Sequence, residues 1–344
     1  MQKVRLGNTG LMVTKFGFGG IPIMRVSEEY GVKLVQKAVQ LGMNWVDTAN
    51  GYGESEERIG KALESFDRES VMIFTKGGGK TRGQLEEQIR LSLERLRVDY
   101  IDVYQFYGVR KEAWKEMLEN GAVDLVVDYR ERGVLRHVAA SSHDSESLLI
   151  AMDHFSIEVV QWPFNFVVQD EASDILTKCR EKNIGFIAMK PFGGGVFPEA
   201  SPCIRFFMQY QDIVSDPGFE KIEQVEEVVN LAERVEQLSE QDRREMDVLR
   251  KELGRRFCRR CGYCMPCSND VAITSLMTLP SMIKRLPPER VFTESSSESV
   301  ASVGNCIECG ECEEKCPYKL PIRERIREEA ENYYKLLEDR KNAL

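Results

Sequence analysis

The sequence lacks long apolar runs, a signal-like N-terminus and an excess of basic residues. No stretch of the 344 residues approaches the roughly eighteen consecutive apolar side chains that a membrane-spanning helix needs. Residues 1–10 have no apolar core of the kind that directs secretion. Acidic residues outnumber basic ones by 56 to 47, giving a net charge of −9, whereas a nucleic-acid-binding surface requires clustered basic residues. These absences predict a cytoplasmic protein that binds neither membranes nor nucleic acids.

Histidine is scarce, and cysteine is concentrated at one end of the chain. Only three histidines are present, and neither a catalytic Ser–His–Asp arrangement nor a Walker phosphate-binding loop is found. Two of the ten cysteines, Cys179 and Cys203, lie in residues 1–250, and the other eight lie in residues 251–344. Disulfides are not expected, because the cytosol keeps thiols reduced. The uneven distribution predicts two domains with these boundaries.

The first predicted domain alternates short apolar runs with amphipathic segments. Residues 71–75 form an apolar run, as buried parallel strands do, and Leu85 and Ile89 begin a helical repeat after it. Counting in this way gives about seven clear strands and a weaker eighth at residues 213–214. About eight βα units in about 250 residues predict a (β/α)8 TIM barrel. An open doubly wound sheet is the rival, but the glycines of residues 17–22 match its nucleotide-binding fingerprint poorly.

Four further elements are predicted from local patterns. Residues 112–132 are expected to form one helix that ends at a glycine. Residues 239–253 should form a connecting helix, and residues 284–305, rich in proline and serine, an extended surface connection. Residues 322–343 have the spacing of an amphipathic helix, which is expected to pack the second domain onto the barrel.

Polar side chains stand where several predicted strands end, the place at which barrel enzymes carry their chemistry. Among them, Asp47, Tyr52 and Lys76 make a coherent set. A lysine ammonium lowers the pKa of a neighbouring tyrosine, and an aspartate would hold that lysine charged and oriented. Such a tyrosine can protonate a carbonyl oxygen while hydride reaches the carbon. The other strand-end residues are Gln105, Tyr107, Ser141, Ser142, His143, Gln161 and Lys190.

Four sequence runs that contain these positions resemble the aldo-keto reductase superfamily. They are DTANGYGESEERIGKAL (47–63), FTKGG (74–78), DYIDVYQFYGV (99–109) and IGFIAMKPFGGG (184–195). The resemblance covers about residues 3–250 and implies a barrel that uses NADP(H) to reduce carbonyls or oxidise alcohols. It implies catalytic roles for Asp47, Tyr52 and Lys76.

The resemblance also implies cofactor-binding residues. Ser141, Ser142 and Gln161 align with residues that hold the nicotinamide amide. The run VSDPGFEKIEQVEEVVN (214–230) matches the adenosine-phosphate segment of the family. The matching residues that we single out there are Gly218, Gln224 and Glu227. Lys190, at the end of the seventh predicted strand, is a candidate for a cofactor phosphate, and a flavin phosphate is an alternative occupant.

Two departures from the family pattern affect this assignment. Tyr107 stands where the family has a histidine, and a phenol cannot take the cationic form of an imidazole. His143 is a candidate substitute for the missing donor. In the phosphate segment, Lys221 is the candidate base for a 2′-phosphate, and Asp216 would repel a phosphate if it faced one.

The eight clustered cysteines form two runs. The second run has the spacing C-x2-C-x2-C-x3-C-P, which bacterial ferredoxins use for [4Fe–4S] clusters. The first, CRRCGYCMPC (258–267), resembles the segment found where a ferredoxin-like module is appended to an aldo-keto reductase barrel. We expect two clusters with crossed ligands, the first held by Cys258, Cys261, Cys264 and Cys316, the second by Cys306, Cys309, Cys312 and Cys267. Zinc held by C-x2-C pairs, or a single cluster, are the alternatives.

The expected function is that of an iron–sulfur oxidoreductase. It would move hydride between NADP(H) and a small carbonyl or alcohol, with clusters that either pass single electrons to a partner protein or are structural. Because hydride carries two electrons and each cluster ordinarily exchanges one, a flavin-mediated electron-transfer enzyme is an alternative. The missing histidine favours a third reading, a nucleotide-binding redox sensor with weak or no turnover.

Overall fold

The computed structural model describes residues 1–197, 199–234, 238–254, 256–258, 262–316 and 318–342. The chain divides into two compact units. The first comprises Met1–Phe192 and Glu199–Asp242, and the second comprises Gly193–Pro198 and Arg243–Leu344. The division falls close to the boundary at residue 250 that the cysteine distribution predicts. Among the described residues, no helix is long and apolar enough to cross a membrane.

The first unit is built on eight parallel strands that follow one another in chain order around a sheet. The strands are β3 (Phe18–Gly19), β4 (Trp45–Asp47), β5 (Met72–Gly77), β6 (Ile101–Tyr107), β7 (Leu135–Ser141), β8 (Val159–Pro163), β9 (Gly185–Met189) and β10 (Ile213–Ser215). The first and last strands meet through parallel bridges between Phe16 and Ser215 and between Gly19 and Gly218. The sheet is therefore closed, and the predicted (β/α)8 TIM barrel is confirmed.

A short hairpin precedes the barrel and was not predicted from the sequence. Its strands, β1 (Lys3–Arg5) and β2 (Met12–Thr14), pair antiparallel. Their inward residues, Val4 and Val13, share a buried apolar cluster with barrel residues such as Trp45. The hairpin therefore buries apolar side chains at the barrel end where the strands begin, away from the carboxyl ends that carry the polar residues.

Helices follow the strands of the barrel in alternation. They are α1 (Glu28–Gln40), α2 (Ser55–Leu63), α3 (Arg82–Leu96), α4 (Ala113–Glu119), α5 (Ala122–Glu131), α6 (Ser145–His154), α7 (Ser173–Lys182), α8 (Ala200–Met208) and α9 (Ile222–Glu233). The prediction of one helix over 112–132 is wrong, because α4 and α5 are separate. Gly121 between them has a φ of 75°, which interrupts the helix in the left-handed region that glycine tolerates.

The second unit is helical. Its helices are α10 (Glu240–Gly254), which begins in the first unit, α11 (Ile273–Arg285), α12 (Pro288–Val291), α13 (Glu294–Ala301), α14 (Glu311–Glu314) and α15 (Ile322–Asn342). Helices α10 and α15 agree with the predicted helices over 239–253 and 322–343.

The predicted extended connection over 284–305 is wrong. Helices α12 and α13 lie in it, because Pro288 occupies the first turn of α12, where proline is favoured. Thr293 caps α13 through the backbone N–H of Ser296. Val291 and Val300 then join a core with residues of α11 and α15. In this segment Pro288 and Thr293 start helices, and the serines of α13 lie inside a helix.

Candidate functional site

A buried ion pair lies at the carboxyl ends of β4 and β5. Lys76 Nζ donates to Asp47 Oδ2, and Gln105 Nε2 on β6 donates to Asp47 Oδ1 over 2.8 Å. All three residues are at most 2% exposed. Parallel pairing of three adjacent strands brings them together. Both carboxylate oxygens of Asp47 are therefore occupied, and the Lys76 ammonium is held in a fixed place.

Tyr52 lies beside this pair in the turn that follows β4. Lys76 Nζ is 5.4 Å from the centre of the Tyr52 ring. The Tyr107 ring stands perpendicular to that of Tyr52 at 6.1 Å, and the two phenols are hydrogen-bond partners. Burial raises the pKa of Tyr52 well above its ordinary value, and Tyr107 and the Asp47 carboxylate raise it further. The expected lowering of this pKa by Lys76 is therefore wrong, because burial outweighs the charge of Lys76 and the Asp47 carboxylate acts against it. Tyr52 keeps its proton.

A second polar chain crosses the same end of the barrel. Ser141 Oγ donates to Gln161 Oε1 over 2.9 Å, and Gln161 Nε2 donates to Asp216 Oδ2 over 2.8 Å. Ser141 and Gln161 are buried at the ends of β7 and β8. The hydroxyl of Ser142 instead donates to the backbone carbonyl of Val109 over 3.1 Å. Of the three residues expected to hold the nicotinamide amide, Ser141 and Gln161 are therefore hydrogen-bonded to each other, and Ser142 is hydrogen-bonded to the loop that follows β6.

Asp216 is the site residue whose place the sequence reasoning missed. It follows β10 directly, and its carboxyl group lies within hydrogen-bonding reach of Asp47. Burial raises the pKa of Asp216 well above its ordinary value, and the Asp47 carboxylate raises it further, while Lys76 opposes the change. Asp216 lies in the run that resembles the phosphate segment of the family. The strand-end rule applied to the other polar residues would have placed it in the site.

Lys190 and His143 meet above the barrel. Lys190 Nζ contacts His143 Nε2, and the two residues follow β9 and β7. Lys190 has a φ of 61°, a left-handed conformation that is uncommon for a residue with a side chain. Its carbonyl oxygen accepts a hydrogen bond from Asn165 Nδ2 over 3.0 Å, which holds the backbone there. His143, a candidate substitute donor, thus has its ring against a lysine.

The predicted phosphate segment surrounds the start of α9. A Cβ on Gly218 would come within 2.6 Å of a ring carbon of Pro22, so this position requires glycine. Gln224 Oε1 accepts hydrogen bonds from the backbone N–H groups of Glu220 and Lys221, at 2.9 and 3.1 Å, and thereby caps the helix. Glu227 is exposed one turn further on.

The cysteines of the second unit line two cavities. One cavity is lined by Cys264, Cys267, Cys306, Cys309 and Cys312. The other is lined by Cys258, Cys264 and Cys316, with Met277 and Tyr318 among its apolar neighbours. These groupings coincide with the two expected ligand sets, except that Cys264 lines both cavities. Cys261 lies outside the described residues. Among the described residues, no three Cys, His, Asp or Glu side chains are arranged to hold a single metal ion.

Comparison with known families supports both units. Residues 15–202 match the aldo/keto reductase family, and residues 257–321 match the 4Fe-4S dicluster domain. The first match covers more than half of the chain. The chain belongs to the aldo/keto reductase family. It is thus an oxidoreductase, and it carries a C-terminal 4Fe-4S domain.

Curated relatives of this aldo/keto reductase have low sequence identity to it but align over more than half of the chain. The Glycine max protein called probable aldo-keto reductase 1 is 28% identical over 257 residues, covering 70% of this chain and 72% of the relative. L-galactose dehydrogenase from Arabidopsis thaliana is 26% identical over 215 residues, covering 57% and 67%. NADH-specific methylglyoxal reductase from Escherichia coli is 24% identical over 225 residues, covering 57% and 69%.

Solved structures show the same barrel. An aldo-keto reductase from Bacillus halodurans in its holo form superposes with a TM-score of 0.63 at 20% identity, covering 72% of this chain and 96% of that chain. An aldo/keto reductase from Klebsiella pneumoniae in complex with NADP and acetate gives a TM-score of 0.62 at 18% identity, covering 72% and 95%. At this identity the likeness concerns the fold alone.

Proposed function

We propose that this aldo/keto reductase moves hydride between NADP(H) and a small carbonyl or alcohol, with Tyr52 as the residue that gives or takes the proton. The observation that carries the proposal is the buried Lys76–Asp47 pair beside the ring of Tyr52. When bound, the nicotinamide would supply or accept the hydride. The chain's own residues would manage the proton and the charge on the substrate oxygen.

Tyr52 is suited to give its proton to a carbonyl oxygen. Its raised pKa keeps the phenol protonated before the reaction. The nearby Lys76 ammonium favours the phenolate that forms as the proton leaves. Because the protonated phenol is the resting form, carbonyl reduction is the favoured direction near neutral pH. Alcohol oxidation needs the phenolate and should require a higher pH.

Tyr107 takes the position at which the family resemblance expects a histidine. Its hydroxyl already shares a hydrogen bond with Tyr52. We assign it the role of a second hydrogen-bond donor to the substrate oxygen. A phenol supplies a neutral donor there, so it contributes less charge stabilisation than an imidazolium would.

We assign the cofactor to the polar residues around the barrel mouth. Ser141, Ser142 and Gln161 would hold the nicotinamide amide, and the burial of Ser141 and Gln161 at the Tyr52 end of the barrel supports this. For the phosphates and adenosine we assign Lys190, Gly218, Gln224 and Glu227. Gln224 would act through the start of α9, whose N–H groups it organises.

We assign two [4Fe–4S] clusters to the second unit, with the crossed ligand sets given above. The two cysteine-lined cavities support this assignment, because thiolates are the ligands that such clusters take. Bound clusters would accept and release single electrons, so a partner would be a one-electron carrier protein. If electrons pass between the clusters and the barrel, a mediator such as a flavin at the barrel mouth would divide the two electrons of a hydride into single ones.

The test of hydride transfer uses full-length protein purified without oxygen. NADPH and NADH oxidation are measured over a panel of small carbonyls for wild type, Tyr52→Phe and Tyr129→Phe. Tyr129 is a matched control on α5, where it contacts Arg132 at the surface. The rate of Tyr52→Phe should be about 10²–10⁴-fold lower than that of wild type, which is the usual contribution of a general acid. The rate of Tyr129→Phe should equal that of wild type. Equal rates in wild type and Tyr52→Phe would refute the assignment.

The same preparation tests the cofactors through its absorption spectrum and its iron, sulfide, zinc and flavin contents. Two clusters predict about eight irons and eight sulfides per chain, and a zinc-loaded, colourless protein would refute them. Flavin bands would favour the flavin-mediated enzyme. Nucleotide binding without turnover across the panel would favour the redox sensor, to which the absence of a histidine at position 107 points.

A further inference from the structure

The carboxyl group of Asp216 joins the two halves of the active site. On one side Asp216 Oδ2 accepts from Gln161 Nε2 over 2.8 Å, and Gln161 in turn accepts from Ser141. On the other side the carboxyl lies within hydrogen-bonding reach of Asp47, which holds Lys76. Asp216 is thus the one residue in this set that contacts both the nicotinamide half and the proton-donating half.

The charges around Asp216 do not balance if both carboxyls are ionised. Asp47 and Asp216 face a single ammonium, that of Lys76. The remaining titratable groups near the pair are the phenols of Tyr52 and Tyr107, neither of which supplies a positive charge. The amides of Gln105 and Gln161 each give one N–H, to Asp47 and Asp216 respectively. One negative charge is left without a partner.

The surroundings of one Asp216 oxygen favour a proton on this carboxyl group. Asp216 Oδ1 is inaccessible to solvent and has no hydrogen-bond donor. A buried anionic oxygen without a donor is costly, and adjacent carboxyls commonly relieve the cost by sharing one proton. A proton on Asp216 would let it donate to Asp47 while its other oxygen still accepts from Gln161.

We infer that Asp216 is a positioning residue that carries a proton at neutral pH, donates it in a hydrogen bond to Asp47, and fixes the amide of Gln161 from the other side. In this state the site holds one negative and one positive charge, Asp47 and Lys76. The orientation of Gln161 is set, because its N–H faces Asp216 and its carbonyl faces Ser141.

The proton on Asp216 would also affect catalysis, an effect that rests on the proposed function. Ionisation of Asp216 would add a negative charge near Tyr52, and this charge raises the pKa of that phenol. The phenolate that forms during carbonyl reduction would then be less stable. Reduction should therefore fall when the pH exceeds the apparent pKa of the Asp47–Asp216 pair, which titrates as a unit.

The direct test is infrared spectroscopy of the full-length, cluster-loaded protein without substrate. Wild type at pH near 7 should show the carbonyl band of a protonated carboxylic acid that is lost in Asp216→Asn. Asparagine keeps both hydrogen bonds, since its oxygen can accept from Gln161 and its N–H can donate to Asp47. Glu56 is a second buried carboxyl with a raised pKa, so the difference between wild type and variant isolates Asp216. Asp212→Asn, which removes an exposed carboxylate paired with Arg180, should leave the band unchanged.

The outcomes separate this inference from the proposed function. A wild-type spectrum identical to that of Asp216→Asn would overturn the inference, whatever the turnover. If turnover is found, the rate at high pH is divided by the rate at neutral pH for each protein. This ratio should be about tenfold higher for Asp216→Asn than for wild type, because the variant has no ionisable group at this position. Asp216→Leu removes the acceptor of Gln161 and should weaken NADP(H) binding about fivefold or more. An alkaline loss of rate that is the same in wild type and Asp216→Asn would also overturn the inference.

Discussion

The barrel site and the cysteine region are held in place by different means. In the barrel, Asp47, Lys76 and Gln105 are almost wholly buried, and each is a hydrogen-bond partner of another. In the second unit, Cys309 is exposed and Cys306 is half-buried, on segments that connect short helices. The barrel arranges its chemistry before any ligand arrives. The cysteine region has cavities of the right composition, but its final order depends on what fills them.

Strand pairing explains the preorganisation of the barrel. Asp47, Lys76 and Gln105 lie on three consecutive strands, and the ladder fixes their mutual positions. Thirteen of the described residues form the buried apolar cluster of the second unit, and one of them is a cysteine. A core of that size leaves a small domain marginal without an added staple such as a metal centre. The difference predicts that removal of iron affects one unit and spares the other.

Iron removal should therefore give the largest effect. Anaerobic chelation is expected to abolish the amide protection of α11 and α15, because the proposed clusters would contribute to folding of this unit. The barrel strands should keep their protection. Hydrogen exchange with mass spectrometry on holo and iron-free protein measures both units in one experiment. Unchanged protection of α11 and α15 after complete iron loss would show that the second unit is stable by itself.

Cysteine variants test the crossed ligand sets within the second unit. Cys306→Ser and Cys267→Ser should each lower iron by about half, and the double variant should lose no more than either single one, since both would hold the same cluster. Adding Cys316→Ser to Cys306→Ser should remove nearly all the iron. Cys179→Ser is the control, because Cys179 is buried in α7 and burial raises its thiol pKa to about 12. Additive loss from Cys306 and Cys267 would contradict the crossing.

Breaking the buried ion pair of the barrel should cost less than loss of the clusters but remain large. Lys76→Met leaves the Asp47 carboxylate buried without its cation, which typically costs about 3–5 kcal/mol of unfolding free energy. Urea unfolding followed by tryptophan fluorescence reports on this unit alone, since the three tryptophans, Trp45, Trp114 and Trp162, all lie in it.

The double variant Asp47→Asn with Lys76→Met is the matched control for this prediction. It removes both charges, so it should recover part of the lost stability. Equal destabilisation by the single and double variants would show that the cost comes from lost packing and not from an unpaired charge.

Asp216 gives a smaller effect that depends on pH. Its pKa is raised in the folded protein, so the folded state binds a proton that the unfolded chain releases above about pH 4. The stability of wild type should then decline as the pH rises from that value towards the folded pKa. Asp216→Asn has no ionisable group at this position, so its stability should not show this decline. The unfolding free energy of the variant should therefore rise relative to that of wild type between mildly acidic and mildly alkaline pH. Parallel pH curves in urea would contradict a retained proton.

The spacing of apolar residues and the family-like sequence runs were sufficient to predict the barrel and most residues of the candidate site. Apolar runs separated by helical repeats gave the eight strands, and the strand-end rule gave Asp47, Lys76 and Gln161. The same rule was not applied to Asp216, because the run around it resembles a phosphate-binding segment. Its contact with Asp47 depends on closure between the first and last strands, a long-range feature that no local pattern contains.

The electrostatics of Tyr52 and the helices of 284–305 were mispredicted for a common physical reason. Proximity of Lys76 suggested a lowered phenol pKa, but the sign depends on burial and on Asp47, which the sequence does not rank. Proline and serine suggested an extended chain, but Pro288 and Thr293 start helices there. In both cases the residue type was informative, and its surroundings decided the outcome.

The smallest predicted effect concerns Tyr107, the residue that departs from the family. Tyr107→Phe removes its hydrogen bond to Tyr52 and should lower the pKa of Tyr52, because Tyr107 raises it. Turnover should change by less than about tenfold, as expected for one neutral hydrogen bond. Tyrosinate absorbance during a pH titration measures the shift. Tyr104→Phe on the same strand is the control, since the Tyr104 hydroxyl is buried without a hydrogen-bond partner. A loss beyond a hundredfold (about 2.7 kcal/mol) would instead make Tyr107 a principal donor. Tyr107 would then perform the role that the resemblance assigns to a histidine at this position.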